Sequence, residues 1–225
     1  MNVEEAKRRA GISAANLIED GEVVGLGTGS TAAYAVEEIG RRVREEGLET
    51  VGIPTSHGTR RLALDNDVPL TSLDVETPDV AVDGADQFDA SLNLIKGGGA
   101  AHAREKVVAE SADRFVVVVD ETKRSDALDA SVPVEVPEFA ASVVEERLEE
   151  LGAEAEVREA ERKDGPVVTD NGNLVVDADF GTLDDPEGLG REVASLPAVV
   201  EHGIFVGIVD EVHVGTSDGV TIEGS

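Results

Sequence analysis

Apolar positions in this chain come in short, near-continuous runs separated by stretches of helical spacing. EVVGL (22–26) reads as a buried strand, and from Thr31 to about Arg44 the residues Ala35, Ile39 and Val43 recur at helical intervals. Strand, glycine turn and helix make the first half of a βαβ unit. The pattern repeats more loosely. TVGIPTS is a short strand and its exit, Thr59 to Asp65 is helical, and PLTSL is another strand. DVAVDGAD is an apolar run ending in a carboxylate turn; NLIKGGG, a helix from about Ala100 to Ala112, and the strand RFVVVVD follow. Valine runs alternating with helices predict an α/β fold with a mostly parallel sheet covered on both faces.

From about Ser131 the rhythm changes. VPVEV is a strand, Glu138 to Glu150 a helix, AEAEVREA and VVTD strands, DNGN a tight turn, NLVVDAD a strand, Pro186 to Leu196 a helix and AVVEHGIF a strand. With one central assignment frayed, the order β-α-β-β-α-β predicts a smaller, ferredoxin-like α+β domain. The tail DEVHVGTSDGVTIEG carries short strands expected to return to the first domain. The expected division is 1–130 plus 205–225 for the larger domain and 131–204 for the smaller.

Composition narrows the chemistry. The chain has 225 residues and no cysteine, which excludes disulfides, thiolate metal sites and cysteine nucleophiles, and its four histidines are too scattered to suggest zinc. Against 19 basic residues stand 48 acidic ones, a net charge of -29 that repels nucleic acid and anionic membranes. No apolar run approaches the roughly 20 residues of a bilayer span, and MNVEEAKRRAG lacks the apolar region of a signal peptide. The expectation is a soluble cytoplasmic protein. Acid spread along the whole chain, with few lysines and 3% aromatics, further suggests adaptation to a salt-rich cytoplasm, where screening suppresses self-repulsion. Melting temperature is therefore expected to rise between dilute buffer and molar KCl; a flat profile would reject the adaptation.

Four polar clusters fall at the ends of expected strands, where ligands gather in open parallel sheets. In GLGTGSTA (25–32), Gly27, Gly29 and Ala32 satisfy a relaxed dinucleotide pattern, but the second strand exits into Pro54, Thr55 and Ser56 with no carboxylate for a ribose. No Walker pattern occurs either. Thr28, Gly29, Ser30 and Thr31 instead offer hydroxyls and amides at a helix N-terminus, suited to one monophosphate; a plain helix cap with Ser30 or Thr31 as N-cap is compatible with that role. In DGADQFD, Asp83 and Asp86 flank Gly84 and Ala85. A turn explains one of these carboxylates, while a calcium loop is disfavoured by the three-residue spacing of Asp83, Asp86 and Asp89.

LIKGGGAAHAREK places Lys96 before Gly97, Gly98 and Gly99, a run whose backbone entropy makes close approach to a ligand the natural reading. Glu105 follows on a helix, sharing a stripe with Ala101, Val108 and Ala109. Partial desolvation there favours the protonated carboxyl and makes Glu105 a candidate general base. Finally, VVVVDETK sets Lys123 just beyond a strongly apolar strand.

Together, GLGTGSTA, DGAD, LIKGGGAAHAREK and VVVDETK, with VVTDNGN, PAVVEHGIF and GTSDG further on, resemble the type A ribose-5-phosphate isomerases over nearly the whole chain. The resemblance implies a Rossmann-like domain beside the small α+β domain, assembly into homodimers or homotetramers, and a phosphorylated pentose as substrate. It implies interconversion of ribose 5-phosphate and ribulose 5-phosphate, in the non-oxidative branch of pentose phosphate metabolism, through a cis-enediol and without metal or organic cofactor. By motif, Thr28 to Thr31 would bind substrate, with Ser30 and Thr31 on the phosphate. Asp83 to Asp86 and Lys96 to Gly99 would line the sugar, Glu105 would accept the proton, Lys96 would stabilise the oxyanion, and Lys123 would contact substrate. Lys7 would add a charge at the phosphate, and His57, in the divergent stretch PTSHGTRRL, is expected to be a loop residue without a role. The competing readings are another sugar-phosphate isomerase, a nucleotide-dependent enzyme on a similar sheet, and a non-enzymatic sugar-phosphate sensor.

Overall fold

The computed structural model describes residues 2–224. In chain order the elements are α1 (Val3–Ala15), β1 (Val23–Leu26), α2 (Ser30–Glu46), β2 (Val51–Pro54), α3 (His57–Asp65), β3 (Val80–Asp83), β4 (Gln87–Phe88), β5 (Leu94–Ile95), α4 (His102–Ser111) and β6 (Arg114–Asp120). They continue with β7 (Val132–Val136), α5 (Ala141–Glu150), β8 (Glu154–Val157), β9 (Leu174–Asp179), α6 (Pro186–Ala194), β10 (Glu201–His202), β11 (Ile204–Phe205), β12 (Glu211–Gly215) and β13 (Val220–Gly224). Contacts divide the chain into two compact units, Met1–Ala85 with Arg104–Lys123 and Ile208–Ser225, and Asp86–Ala103 with Arg124–Gly207.

The first unit is Rossmann-like. Its sheet runs β13-β12-β6-β3-β1-β2, parallel throughout except for β13, which turns back along β12 at the edge. Valines of β1, β3 and β6 are buried because helices cover the sheet, and the core joins Val24, Val82, Val116 and Val118 to Ala35 and Ile39 of α2. Val43, the third position of the expected α2 stripe, packs against that cluster.

The second unit holds the α+β module. Its sheet order is β10-β7-β9-β8 with every neighbouring pair antiparallel, α5 connecting β7 to β8 and α6 connecting β9 to β10. That is the split βαβ arrangement expected from the element order. A small sheet, β11-β5-β4, belongs to the same unit.

Several elements differ from the sequence reading. The helix α1 had no counterpart there, since its buried side is Ala6, Ala10, Gly11, Ala14 and Ala15, small residues that give a weak hydrophobic signal yet allow close packing. PLTSL contributes only an isolated bridge from Leu70 to Gly52, and VVTD only one from Val168 to Leu174. Pro69 and Pro166 border these segments and have no N–H to extend a ladder. AVVEHGIF is two strands, because Gly203 sits where the chain leaves β7 for β5. The stretch 86–103 falls in the second unit, not the first, since β5 pairs with both β4 and β11.

Candidate functional site

In the first unit, β1 has β2 on one side and β3 on the other, so the chain winds in opposite directions from β1. The carboxyl ends of β1 and β3 therefore mark a topological switch point, where an open α/β sheet leaves a crevice. Both ends carry the expected motifs. Gly27 donates its N–H to the Val82 carbonyl at 2.9 Å, and Asp83, 3% exposed, accepts from Thr28 N at 3.0 Å and Gly84 N at 2.7 Å through Oδ1. A Cβ on Gly27 would lie 2.2 Å from Asp83 Cγ, so this position admits glycine alone. One carboxylate of DGAD is thus the tie that shapes the GTGS turn.

The turn then enters α2. Gly29 is the N-cap, with φ 120° and no side-chain cap; Ser30 and Thr31 are the first two helical residues, so the plain-cap alternative for them does not apply. Ser30 is exposed and Thr31 buried, and the first turn holds no acid although acids are abundant elsewhere. Uncapped amides and the positive end of the helix dipole favour an anion there.

The Thr28 hydroxyl lies in a cluster that the sequence reading passed over. It lies 2.8 Å from Thr55 Oγ1, 2.8 Å from Ser56 Oγ and 3.1 Å from Thr59 Oγ1. Thr59 in turn donates to the Gly27 carbonyl at 2.8 Å, and Thr55 to that of Leu26 at 3.0 Å. The hydroxyls of PTSHGT, at the exit of β2, were the available signal: they occupy the place where a dinucleotide enzyme needs an acid. Next to them His57 is the exposed first residue of α3, helical rather than in a loop.

Glu105 is in the first turn of α4 and only 4% exposed, with Val108 and Ala109 buried one turn on. The helix dipole favours negative charge there while burial opposes it. β6 ends in Asp120, which is 1% exposed and accepts from the Thr122 amide at 3.0 Å and from the Thr122 hydroxyl. The half-buried Lys123 closes the 3-10 turn that follows. Lys7 on α1 pairs with Glu4 at 3.1 Å, and its ammonium, with the Tyr34 hydroxyl, holds the Glu4 carboxyl below the usual carboxylate range.

In the second unit, Lys96 is 2% exposed, with its Nζ 5.6 Å from the centroid of the Phe205 ring. Gly97 has φ 106°, and a Cβ there would meet His102 Nδ1 at 2.7 Å. Gly98 donates its N–H to Asp86 Oδ2 at 2.7 Å, and a Cβ on it would reach Asp86 Oδ1 at 2.8 Å. Asp86 and Gly99 are exposed. DGAD therefore spans the two units: Asp83 serves the turn after β1, and Asp86 serves the glycine loop, with Gly84 and Ala85 as the link. Asp89 is spent on its own loop, accepting from Ser91 N, Asn93 N and Asn93 Nδ2 at 2.8 to 2.9 Å. Among the described residues no group of three His, Asp or Glu side chains is arranged to hold a metal ion, and no helix is long and apolar enough to cross a membrane.

Comparison with known proteins gives one answer. The family model described as ribose 5-phosphate isomerase A (phosphoriboisomerase A) matches residues 51–219. A protein named ribose-5-phosphate isomerase A from Natronomonas pharaonis is 61% identical over 219 residues, covering 97% of this chain and 96% of the relative. One of the same name from Haloarcula marismortui is 60% identical, covering 96% and 94%. The structure of ribose 5-phosphate isomerase A from Methanocaldococcus jannaschii superposes with a TM-score of 0.95 at 46% identity over 99% of both chains. A D-ribose-5-phosphate isomerase solved in complex with phospho-erythronic acid superposes with a TM-score of 0.97 at 46% identity over 100% of both. The chain belongs to the ribose 5-phosphate isomerase A family.

Proposed function

We propose that this protein interconverts D-ribose 5-phosphate and D-ribulose 5-phosphate through a cis-enediol. One observation carries the reading: a carboxylate buried to 4% exposure, Glu105, sits in the first turn of the helix that follows a glycine loop led by a lysine of 2% exposure, Lys96. Two buried charged groups nine residues apart are expensive for a fold to keep without a use.

In the open-chain aldose the C2 proton is acidified by the C1 aldehyde. Glu105 takes that proton, the electron pair moves to form the C1–C2 double bond, and the carbonyl oxygen becomes an enediolate oxygen. Glu105 then returns the proton to C1 while the C2 hydroxyl proton passes to the C1 oxygen, leaving a hydroxyl on C1 and a ketone at C2. Lys96 supplies positive charge for the oxyanion, the largest kind of contribution in such chemistry. Asp83 and Asp86 exchange protons with the sugar hydroxyls, ring opening included, and Lys123 contacts the substrate.

The phosphate takes the first turn of α2, on the Ser30 and Thr31 amides and hydroxyls, with Lys7 as added positive charge. In a protein of charge -29 a dianion needs such a local site, and salt screens the remaining repulsion. The same reading makes the protein a salt-adapted cytoplasmic homodimer or homotetramer that needs neither metal nor organic cofactor. Ser30→Ala is expected to raise KM roughly tenfold through the lost charge-assisted hydrogen bond, with kcat nearly unchanged. A change confined to kcat would contradict the phosphate role. The reading as a whole is tested by formation of ribulose 5-phosphate from ribose 5-phosphate in molar KCl.

A further inference from the structure

Arg158 follows β8 directly, and its backbone N–H is held by the Val175 carbonyl at 2.8 Å. Its side chain is 17% exposed and forks onto Asp177 of β9, Nε reaching Oδ2 at 2.7 Å and Nη2 reaching Oδ1. A bidentate pair alone would be a cross-strand tie on the small sheet. The remaining nitrogen does something else. Nη1 donates to the carbonyls of Gly97, at 2.9 Å, and Gly98, at 3.1 Å, 61 and 60 residues away in sequence.

The consequence follows from the planar trans peptide. No cis bond is present among the described residues. The Gly97 carbonyl and the Gly98 N–H belong to one peptide group and point opposite ways; the first accepts from Arg158 and, within the loop, from the Ala100 N–H at 2.9 Å, and Asp86 holds the second. In the next peptide group Arg158 holds the Gly98 carbonyl, which turns the Gly99 N–H away from the guanidinium. Glycine peptides rotate easily because no Cβ restricts them. A rotation of the Gly98–Gly99 peptide would exchange its donor for its carbonyl oxygen, and an oxygen turned toward an enediolate repels it.

We infer that Arg158, locked by Asp177, is a positioning residue for the isomerase reaction: it selects the orientation of the Lys96–Gly99 loop in which the Gly99 amide is offered to the substrate as a donor. This rests on the isomerase reading above. Lysine cannot substitute, since a point charge on a flexible stem cannot grip Asp177 and two carbonyls together.

The test uses the full chain with Arg158→Met, Arg158→Lys and Asp177→Asn, wild type in parallel. For Arg158→Met the expectation is a kcat lower by roughly 10- to 100-fold, the scale of a misplaced active-site group, with KM within about threefold because the phosphate grip is untouched. Affinity for phospho-erythronic acid should fall by the same factor as kcat/KM, that for inorganic phosphate should not change, and Arg158→Lys should recover little of the loss. Independently of turnover, amide exchange at Gly98, read by NMR, should accelerate in Arg158→Met. Wild-type kcat and wild-type exchange at Gly98 in that variant would overturn the inference. So would a uniform loss of kcat, KM and both affinities, the mark of general unfolding. If Arg158→Met fails to fold, Asp177→Asn is judged by the same readouts. An inactive wild type would refute the isomerase reading, and the Gly98 exchange would still decide whether Arg158 holds the loop.

Discussion

Replacing Glu105 by glutamine is expected to lower kcat for ribose 5-phosphate by roughly 10² to 10⁴ while KM stays within a few fold, as steady-state assays on the purified variant would show. Glutamine has nearly the same shape, so a side chain at 4% exposure keeps its packing on α4. What disappears is the basic oxygen that receives the C2 proton. Burial sharpens the expectation, because bulk water has little access to act as a substitute base. Substrate binding through α2 does not involve Glu105, hence the split between kcat and KM. Turnover near that of wild type would remove Glu105 from the mechanism.

Lys96→Met is expected to lower kcat by roughly 10² to 10³, the usual loss for an oxyanion-stabilising group. Methionine keeps an unbranched apolar stem against Phe205 and removes only the ammonium. The charge matters because Lys96 is at 2% exposure, where a cation acts through a low local dielectric and its field is poorly screened. Its neighbour Gly203 accepts the Lys96 N–H at 2.9 Å by a backbone contact that the substitution leaves intact. Circular dichroism and gel filtration of the variant separate a folded, slow enzyme from a misfolded one. A folded Lys96→Met with kcat within about fivefold of wild type would contradict the electrostatic role.

Much of the first unit was legible because its signals are local. The valines of β1, β3 and β6 sit in runs, and α2 carries Ala35, Ile39 and Val43 at one spacing. The candidate-site motifs stood out for a related reason: glycines and acids at strand ends contrast with apolar strands. What stayed hidden depends on distant partners. α1 buries alanines, so its amphipathic stripe is faint. β4 and β5 are two residues each and exist because they pair with each other and β5 with β11. No local pattern shows that Asp83 ties Thr28 and Gly84, that Thr55, Ser56 and Thr59 close around the Thr28 hydroxyl, or that Arg158 reaches the glycine loop.

The claim that a protein carboxylate moves a proton between C2 and C1 is tested most directly by NMR of ribose 5-phosphate incubated with the wild-type chain in deuterated buffer containing molar KCl. The account predicts that ribulose 5-phosphate forms and that solvent deuterium accumulates at its C1, and at C2 of the remaining ribose 5-phosphate, as turnovers add up. Substrate that binds and stays unconverted would mark a sensor. Conversion over many turnovers with no deuterium in either sugar, together with wild-type turnover in Glu105→Gln, would mean direct hydrogen transfer, and would contradict the enediol and the role of Glu105 with it.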